Sequence, residues 1–129
     1  MEKNFNLEII SPEKIILSDK VNLVIIPAFE GEMSILPNHI SLITFLRPGI
    51  IQVNLSKKID FFVEEGTVEF SNNTLIILSS TIIPLENVKG ENLYKMIEES
   101  KALLAKENLS DKAKYIASHK IDTLSKINQ

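Results

Sequence analysis

The sequence contains no cysteine and no tryptophan. Without thiols there are no disulfides, no thiolate nucleophile and no cysteine-held metal, and the composition suits a reducing compartment. Histidine occurs twice, at His39 and His119, too far apart to share the i,i+4 spacing of a helical metal pair or to report a common catalytic site. The four glycines (Gly31, Gly49, Gly66 and Gly90) are so widely spread that no two share a turn, which excludes a phosphate-cradling loop. Arginine is reduced to Arg47 against thirteen lysines, removing most bidentate anion chemistry. The net charge of −3 argues against nucleic acid as a partner, because phosphate binding needs a basic field over one face. Apolar runs such as Val24-Ile25-Ile26-Pro27-Ala28-Phe29 fall far short of the roughly 20 residues needed to cross a bilayer, so direct membrane insertion is not expected. The opening Met1-Glu2-Lys3-Asn4-Phe5-Asn6 lacks the basic start and apolar stretch of a signal peptide, and no mitochondrial import segment is expected either. The acidic pairs Glu30/Glu32 and Glu64/Glu65 read as solvated carboxylates beside turns, not as a hydrolase pair. No catalytic residue, metal site or cofactor is expected.

The chain has 129 residues, 44% hydrophobic and 24% charged, which suits one folded core with a small appendage. From Phe5 to about Leu85 the apolar period is two: Phe5, Leu7 and Ile9 alternate with Asn6, Glu8 and Ile10. The same holds for Ile51, Val53 and Leu55, and for Ile59, Phe61 and Val63 against Asp60 and Phe62. Turn formers bound these runs: Ser18-Asp19, Glu30-Gly31, Pro37-Asn38, Pro48-Gly49, Lys57-Lys58, Gly66 and Asn72-Asn73. The pattern predicts a mainly β sandwich or flattened barrel of about eight to ten strands over residues 1–86. Beyond Lys89-Gly90 the period becomes helical, with Leu93, Met96, Ile97, Ser100, Leu103 and Leu104 on one face. After Glu107-Asn108-Leu109, Ser110 or Asp111 can cap a second helix, whose stripe is Ala113, Ile116, Ala117, Ile121, Leu124 and Ile127. Residues 87–129 therefore predict an antiparallel α-helical hairpin, with helices over about 91–106 and 111–127. It should close on itself and dock its rim on the sandwich or on another protein. Lys120 falls inside the apolar stripe, where its stem can pack while the ammonium snorkels out.

The least ordinary segment runs from Phe29 to Gly49. Gly31 permits a tight turn and Pro37-Asn38 sets another, so His39 is expected at a fixed loop tip, followed by the apolar Ile40, Leu42 and Ile43. Such a loop either tucks onto its own core or forms a rigid protein-binding edge. The stretches Glu30-Gly31-Glu32, Ile35-Leu36-Pro37-Asn38-His39 and Leu46-Arg47-Pro48-Gly49 resemble the signature of the F-type ATP synthase epsilon chain. Leu7-Glu8-Ile9-Ile10-Ser11-Pro12-Glu13 is similar to that family's opening strand, and Phe62 to Phe70 to its strand–glycine–strand segment. The ordered set covers the whole chain. Ser34 and Asn38 depart from it, standing where the family often has glycine; Asn38 tolerates left-handed φ, and Ser34 implies ordinary β conformation.

The resemblance implies a non-catalytic central-stalk subunit in the rotor of a proton- or sodium-translocating synthase, bound to the gamma subunit and the ring of c subunits. It would lie peripherally on the cytoplasmic face of a bacterial inner membrane, or on a plastid thylakoid. Glu32, His39 and Ile40 would face the c ring; the competing reading is that they only shape their loop. The hairpin of many bacterial relatives can open and block hydrolysis against the catalytic beta subunit. Here Ser110 to Gln129 carries four lysines against two aspartates, and Lys112, His119 and Lys126 form one basic flank, which a plain solvated face explains equally well. Glu86 to Leu93 lacks the aspartate-and-arginine pattern with which some relatives bind ATP. Apart from the resemblance, the alternative is a free-standing β-sandwich adaptor or ligand-binding module with a helical interaction hairpin. That reading predicts a concave pocket lined by aromatics, yet there are only six phenylalanines and two tyrosines, and several of the phenylalanines fall on inward-alternating strand positions, where core packing is the simpler use.

Overall fold

The computed structural model describes residues 3–54 and 58–127. Met1, Glu2, Leu55, Lys57, Asn128 and Gln129, which figure in the expectations above, lie outside them. Ten strands are followed by two helices: β1 (Phe5–Ile10), β2 (Ile15–Val21), β3 (Leu23–Ala28), β4 (Gly31–Ile35), β5 (Leu42–Leu46), β6 (Gly49–Asn54), β7 (Ile59–Val63), β8 (Gly66–Ser71), β9 (Thr74–Leu78) and β10 (Ile83–Pro84), then a 3-10 turn at Leu85–Asn87, α1 (Gly90–Leu104) and α2 (Asp111–Ser125).

The strands form one sheet in the order β10-β7-β6-β3-β5-β8-β9-β1-β2, with β4 added on β3. All described pairings are antiparallel except β1 with β9. The sheet curls over at β3, whose start pairs with β6 while its end, Ala28, pairs with Leu46 of β5. The amide N–H of Phe29 donates to Phe45 O at 2.8 Å and that of Arg47 to Pro27 O at 3.0 Å, so the switch between layers leaves no broken ladder. Alternation then sends one face of every strand inward. Phe5, Leu7 and Ile9 of β1 meet Val24 and Ile26 of β3, Ile51 and Val53 of β6, and Val68 and Phe70 of β8 in one core. Phe5 and Phe70 contact edge to face at 5.7 Å. The Asn72-Asn73 turn between β8 and β9 has both residues at positive φ (50° and 55°), the geometry that fits a two-residue hairpin to the sheet twist.

A second core lies outside the curl. Phe62, expected to alternate outward, does point away from the first core, yet it is fully buried with Val88, Leu93 and Leu124. Ile50, Ile83, Leu85, Met96, Ile97 and Ile127 complete this cluster, so the hairpin covers the outer face of β6, β7 and β10. Burying a phenylalanine in this way is worth about 1.5–3 kcal/mol. Ser110 caps α2, its side chain accepting from the Ala113 N–H at 3.1 Å. In α1 the apolar stripe outruns its cover, since Leu103 and Leu104 are exposed near the hairpin turn.

Gly66, a turn former by sequence, is the first residue of β8, and the positive-φ glycines are instead Gly31 and Gly90. The constraint at Gly66 is close approach, since an added Cβ would lie 2.6 Å from Leu78 O and 3.1 Å from Ser79 Cβ. Gly66→Val is expected to lower stability by about 1–3 kcal/mol through overpacking. Urea unfolding checks this, with a lower midpoint at unchanged slope as the expected result.

Candidate functional site

Among the described residues, the second layer (β5, β8, β9, β1 and β2) meets a helix on its outer face at the β5 end, where Lys112 and Ile116 of α2 approach it. Register places Phe45 beside Thr67, Thr67 beside Leu78, Leu78 beside Ile10, and Ile10 beside Ile15, one residue per strand across the layer. Their neighbours along the strands, Leu46, Val68, Ile77 and Ile9, all belong to the core, so this row must face outward. Phe45 is 61% exposed, Leu78 48% and Ile15 60%, and Ile43 in the adjoining row is 75% exposed. Single exposed apolar residues are ordinary; several on one face, here interrupted by Thr67 and the half-buried Ile10, are the mark of an interface. Glu8 and Glu69 sit in the row with Ile43 and Ile76, adding negative charge beside the apolar stripe. At the β5 end the face opens into a groove of about 910 Å3, walled by Phe29, Phe45, Leu78 and Pro12 and closed on the far side by Lys112 and Ile116 of α2.

The residues expected to face a ring of subunits are not gathered at one point. Glu32 lies in β4 opposite Pro27, next to the β3–β4 turn, and is exposed. His39 and Ile40 follow the other end of β4. Asn38 takes φ 64°, the left-handed conformation that a glycine would supply, and Ser34 lies in β4. The Asn38 N–H donates to Asn73 Oδ1 at 2.9 Å, while Asn73 Nδ2 donates to Asn4 O at 2.8 Å, fastening the loop to the β8–β9 turn. His39 is not presented at the tip: its ring stands edge-on to Phe70 at 5.8 Å and its Nδ1 lies 2.7 Å from Ile40 O. The exposed groups are Ile40, at 79%, and Leu36, at 53%.

The expected basic flank of α2 is likewise divided. Lys112 and Lys126 are exposed, and Lys126 pairs with Asp122 at 3.1 Å. His119 is half-buried against the sandwich. Arg47 Nη1 reaches Tyr115 Oη at 3.4 Å and His119 Nε2 at 3.5 Å, while Tyr115 Oη donates to Phe29 O at 2.6 Å. Tyr115 also packs on Phe29, ring centres 4.7 Å apart, and edge-on to His119 at 4.3 Å. Burial first, and the adjacent guanidinium second, hold the His119 imidazole below its ordinary value, with Asp122 acting in the opposite direction. Lys120 does not snorkel into open water: its ammonium pairs with Glu64, both side chains largely covered. Thr123 Oγ1 donates to Pro48 O at 3.4 Å. This polar seam between α2 and the β5–β6 corner escaped the sequence reading, although Tyr115 and His119, one helical turn apart on the α2 face with Lys112, were a usable signal. Tyr115→Phe removes the 2.6 Å bond and is expected to weaken hairpin docking by about 1 kcal/mol. Faster amide exchange in α2, with β1 and β8 unchanged, is the result that checks it.

Among the described residues no group of three or more His, Cys, Asp or Glu stands close enough to hold a metal ion, and no helix is long and apolar enough to cross a membrane. The surfaces are apolar rows, a fastened loop and a polar seam, the parts of a binding protein. Residues 4–85 match the family described as ATP synthase, Delta/Epsilon chain, beta-sandwich domain. The ATP synthase epsilon chain of Pelagibacter ubique is 39% identical, the match covering 99% of this chain and 100% of that protein. That of Nitratiruptor is 34% identical over 94% and 95% of the two chains. In solved structures, a chain of the Euglena gracilis mitochondrial ATP synthase superposes with a TM-score of 0.79 at 24% identity, covering 97% of this chain and 81% of its own. A sandwich with an outward apolar row, a hairpin on its opposite face and full-length relatives of one kind lead to one assignment: this chain belongs to the ATP synthase epsilon chain family.

Proposed function

We propose that the chain works as a non-catalytic central-stalk subunit of an F-type ATP synthase, transmitting rotation between the c ring and the catalytic head through the gamma subunit. The observation that carries this is the row in which Phe45, Leu78 and Ile15 are exposed beside the half-buried Ile10, apolar surface that a partner would remove from water. The gamma subunit is the partner assigned to this face. Basic residues on it would meet Glu8 and Glu69 and set register, while apolar burial supplies the affinity.

The c-ring contact is assigned to Glu32, His39 and Ile40. Met33, Ser34 and Ile35 of β4 separate Glu32 from the loop that begins at Leu36, about 13 Å of strand, which fits within an ordinary interface of about 800 Å2 per partner. Within that contact, Ile40 and Leu36 supply the apolar part and His39 holds the loop shape. An exposed pair at Glu32 contributes less than about 1 kcal/mol, so it orients the contact more than it holds it. The subunit would be peripheral, held on the cytoplasmic face of a bacterial inner membrane through the complex. Residues 1–86 and 87–129 act as platform and appendage; the hairpin, if it reaches the catalytic beta subunit, does so with Lys112 and Lys126, the exposed members of its flank.

The experiment is co-purification from detergent-solubilised membranes. The wild-type chain should come out with the synthase. Phe45→Asp combined with Leu78→Asp should stay folded, since both positions are exposed, yet fall out of the complex by a factor of ten or more, the equivalent of about 1.4 kcal/mol. Undiminished recovery of the double variant would show that this face is not the attachment. ATPase activity of the assembled enzyme with and without residues 90–129 tests the hairpin separately.

A further inference from the structure

We infer that the seam between α2 and the sandwich is an acid-sensitive latch, in which His119 holds the hairpin down only while its imidazole is neutral. This goes beyond the stalk assignment and holds for the free chain, whether or not the hairpin regulates hydrolysis.

The geometry sets the protonation state. Arg47 carries only N–H donors, and its Nη1 faces His119 Nε2 at 3.5 Å, so this contact is attractive only with Nε2 as the acceptor and the proton on Nδ1. Protonation would turn Nε2 into a donor aimed at a guanidinium, replacing an attraction with like-charge repulsion in a half-buried site. The imidazole cannot easily swing away, because Tyr115 packs edge-on against it at 4.3 Å and is itself fixed by its bond to Phe29 O. Arg47 is in turn anchored by its place at the β3–β5 switch, where its N–H donates to Pro27 O.

The other charged groups facing this site come from three elements. Glu32 of β4, Asp60 of β7, and Asp122 and Lys126 of α2 line the same cavity of about 410 Å3 as Arg47 and His119. Asp122 is partly neutralised by its pair with Lys126, and Arg47 is the charged group in contact with the ring. Asp122 favours the imidazolium, while burial and Arg47 oppose it; the balance lies toward the neutral form. Release of the hairpin separates His119 from Arg47 and returns the imidazole to an ordinary value of about 6.5. Docking therefore has its full strength above about pH 6.5 and loses it as the pH falls from there through the lower value of the docked state.

The absence of cysteine makes the test direct. Ser118→Cys on α2 and Glu69→Cys on β8 are exposed positions that can carry a pair of spin labels in the full chain. Label separation should report one docked distance at about pH 8 and a growing longer-distance population toward about pH 5.5, spanning the histidine range. The open-to-docked ratio should rise by at most about tenfold per pH unit, as expected for a single proton. His119→Gln, which can still accept from Arg47, should dock with no pH dependence over that range. A distance distribution unchanged with pH, or a His119→Gln profile that matches wild type, overturns the latch. The His119 ring resonances of the unlabelled chain give an independent reading: a midpoint below about 6.5 is expected, and one at or above it contradicts the inference.

Discussion

A curled sheet has one inside and two outsides. Every strand that feeds the common core through Phe5, Leu7, Ile26, Ile51 or Phe70 also presents an opposite row of side chains, and the outer face of each layer carries an apolar patch. The strand that makes this arrangement possible is β3, which pairs with β6 along its first half and with β5 at Ala28. Because one strand belongs to both layers, the layers cannot slide apart, and their outer faces stay at fixed angles. One of those faces the chain covers itself, with Phe62 and Ile50 roofed by Leu93, Leu124 and Met96. The other, marked by Phe45 and Leu78, is exposed in the chain by itself.

The two coverings differ in kind. The hairpin is held by an apolar patch centred on Phe62 and steered by a thin polar seam of Arg47, Tyr115, His119, Thr123 and the Lys120–Glu64 pair. Partly exposed hydrogen bonds and ion pairs contribute little each, about 1 kcal/mol or less. They fix where α2 sits and tip the balance between docked and released hairpin, so a change at one of them moves that balance without touching the first core. That separation lets a rigid platform carry a movable part: folding energy lives in the curl, and the hairpin equilibrium lives in contacts small enough to be reversed.

Much of this was legible from residue order. The strict alternation of Phe5 to Ile10 and the Asn72-Asn73 turn predict a strand and a tight hairpin, and the structure has both. The left-handed Asn38 followed from the tolerance of asparagine for that conformation. The misreadings share a cause. Phe62 looked like an outward residue of an alternating strand, and Gly66 like a turn glycine; what decides both is a segment packed on them from elsewhere in the chain, α1 and α2 on Phe62 and the Leu78–Ser79 backbone on Gly66. Lys120 and His119 were placed by helical spacing on an exposed or snorkelling face, but spacing gives a direction around the helix and not the partner that stands there. The separation of Glu32 from His39 was hidden for a similar reason: they are close in sequence, yet β4 carries the chain away between them.

The central claim is that the uncovered apolar row is where the rest of the machine attaches. The most direct measurement uses single cysteines at positions 45 and 78, with one at Glu98 on the exposed side of α1 as reference. Thiol reactivity is compared between the free chain and the assembled synthase. The account predicts that the cysteines of Phe45→Cys and Leu78→Cys react freely before assembly and become protected within the complex, while Glu98→Cys keeps its rate. Equal reactivity at positions 45 and 78 in both states would contradict it.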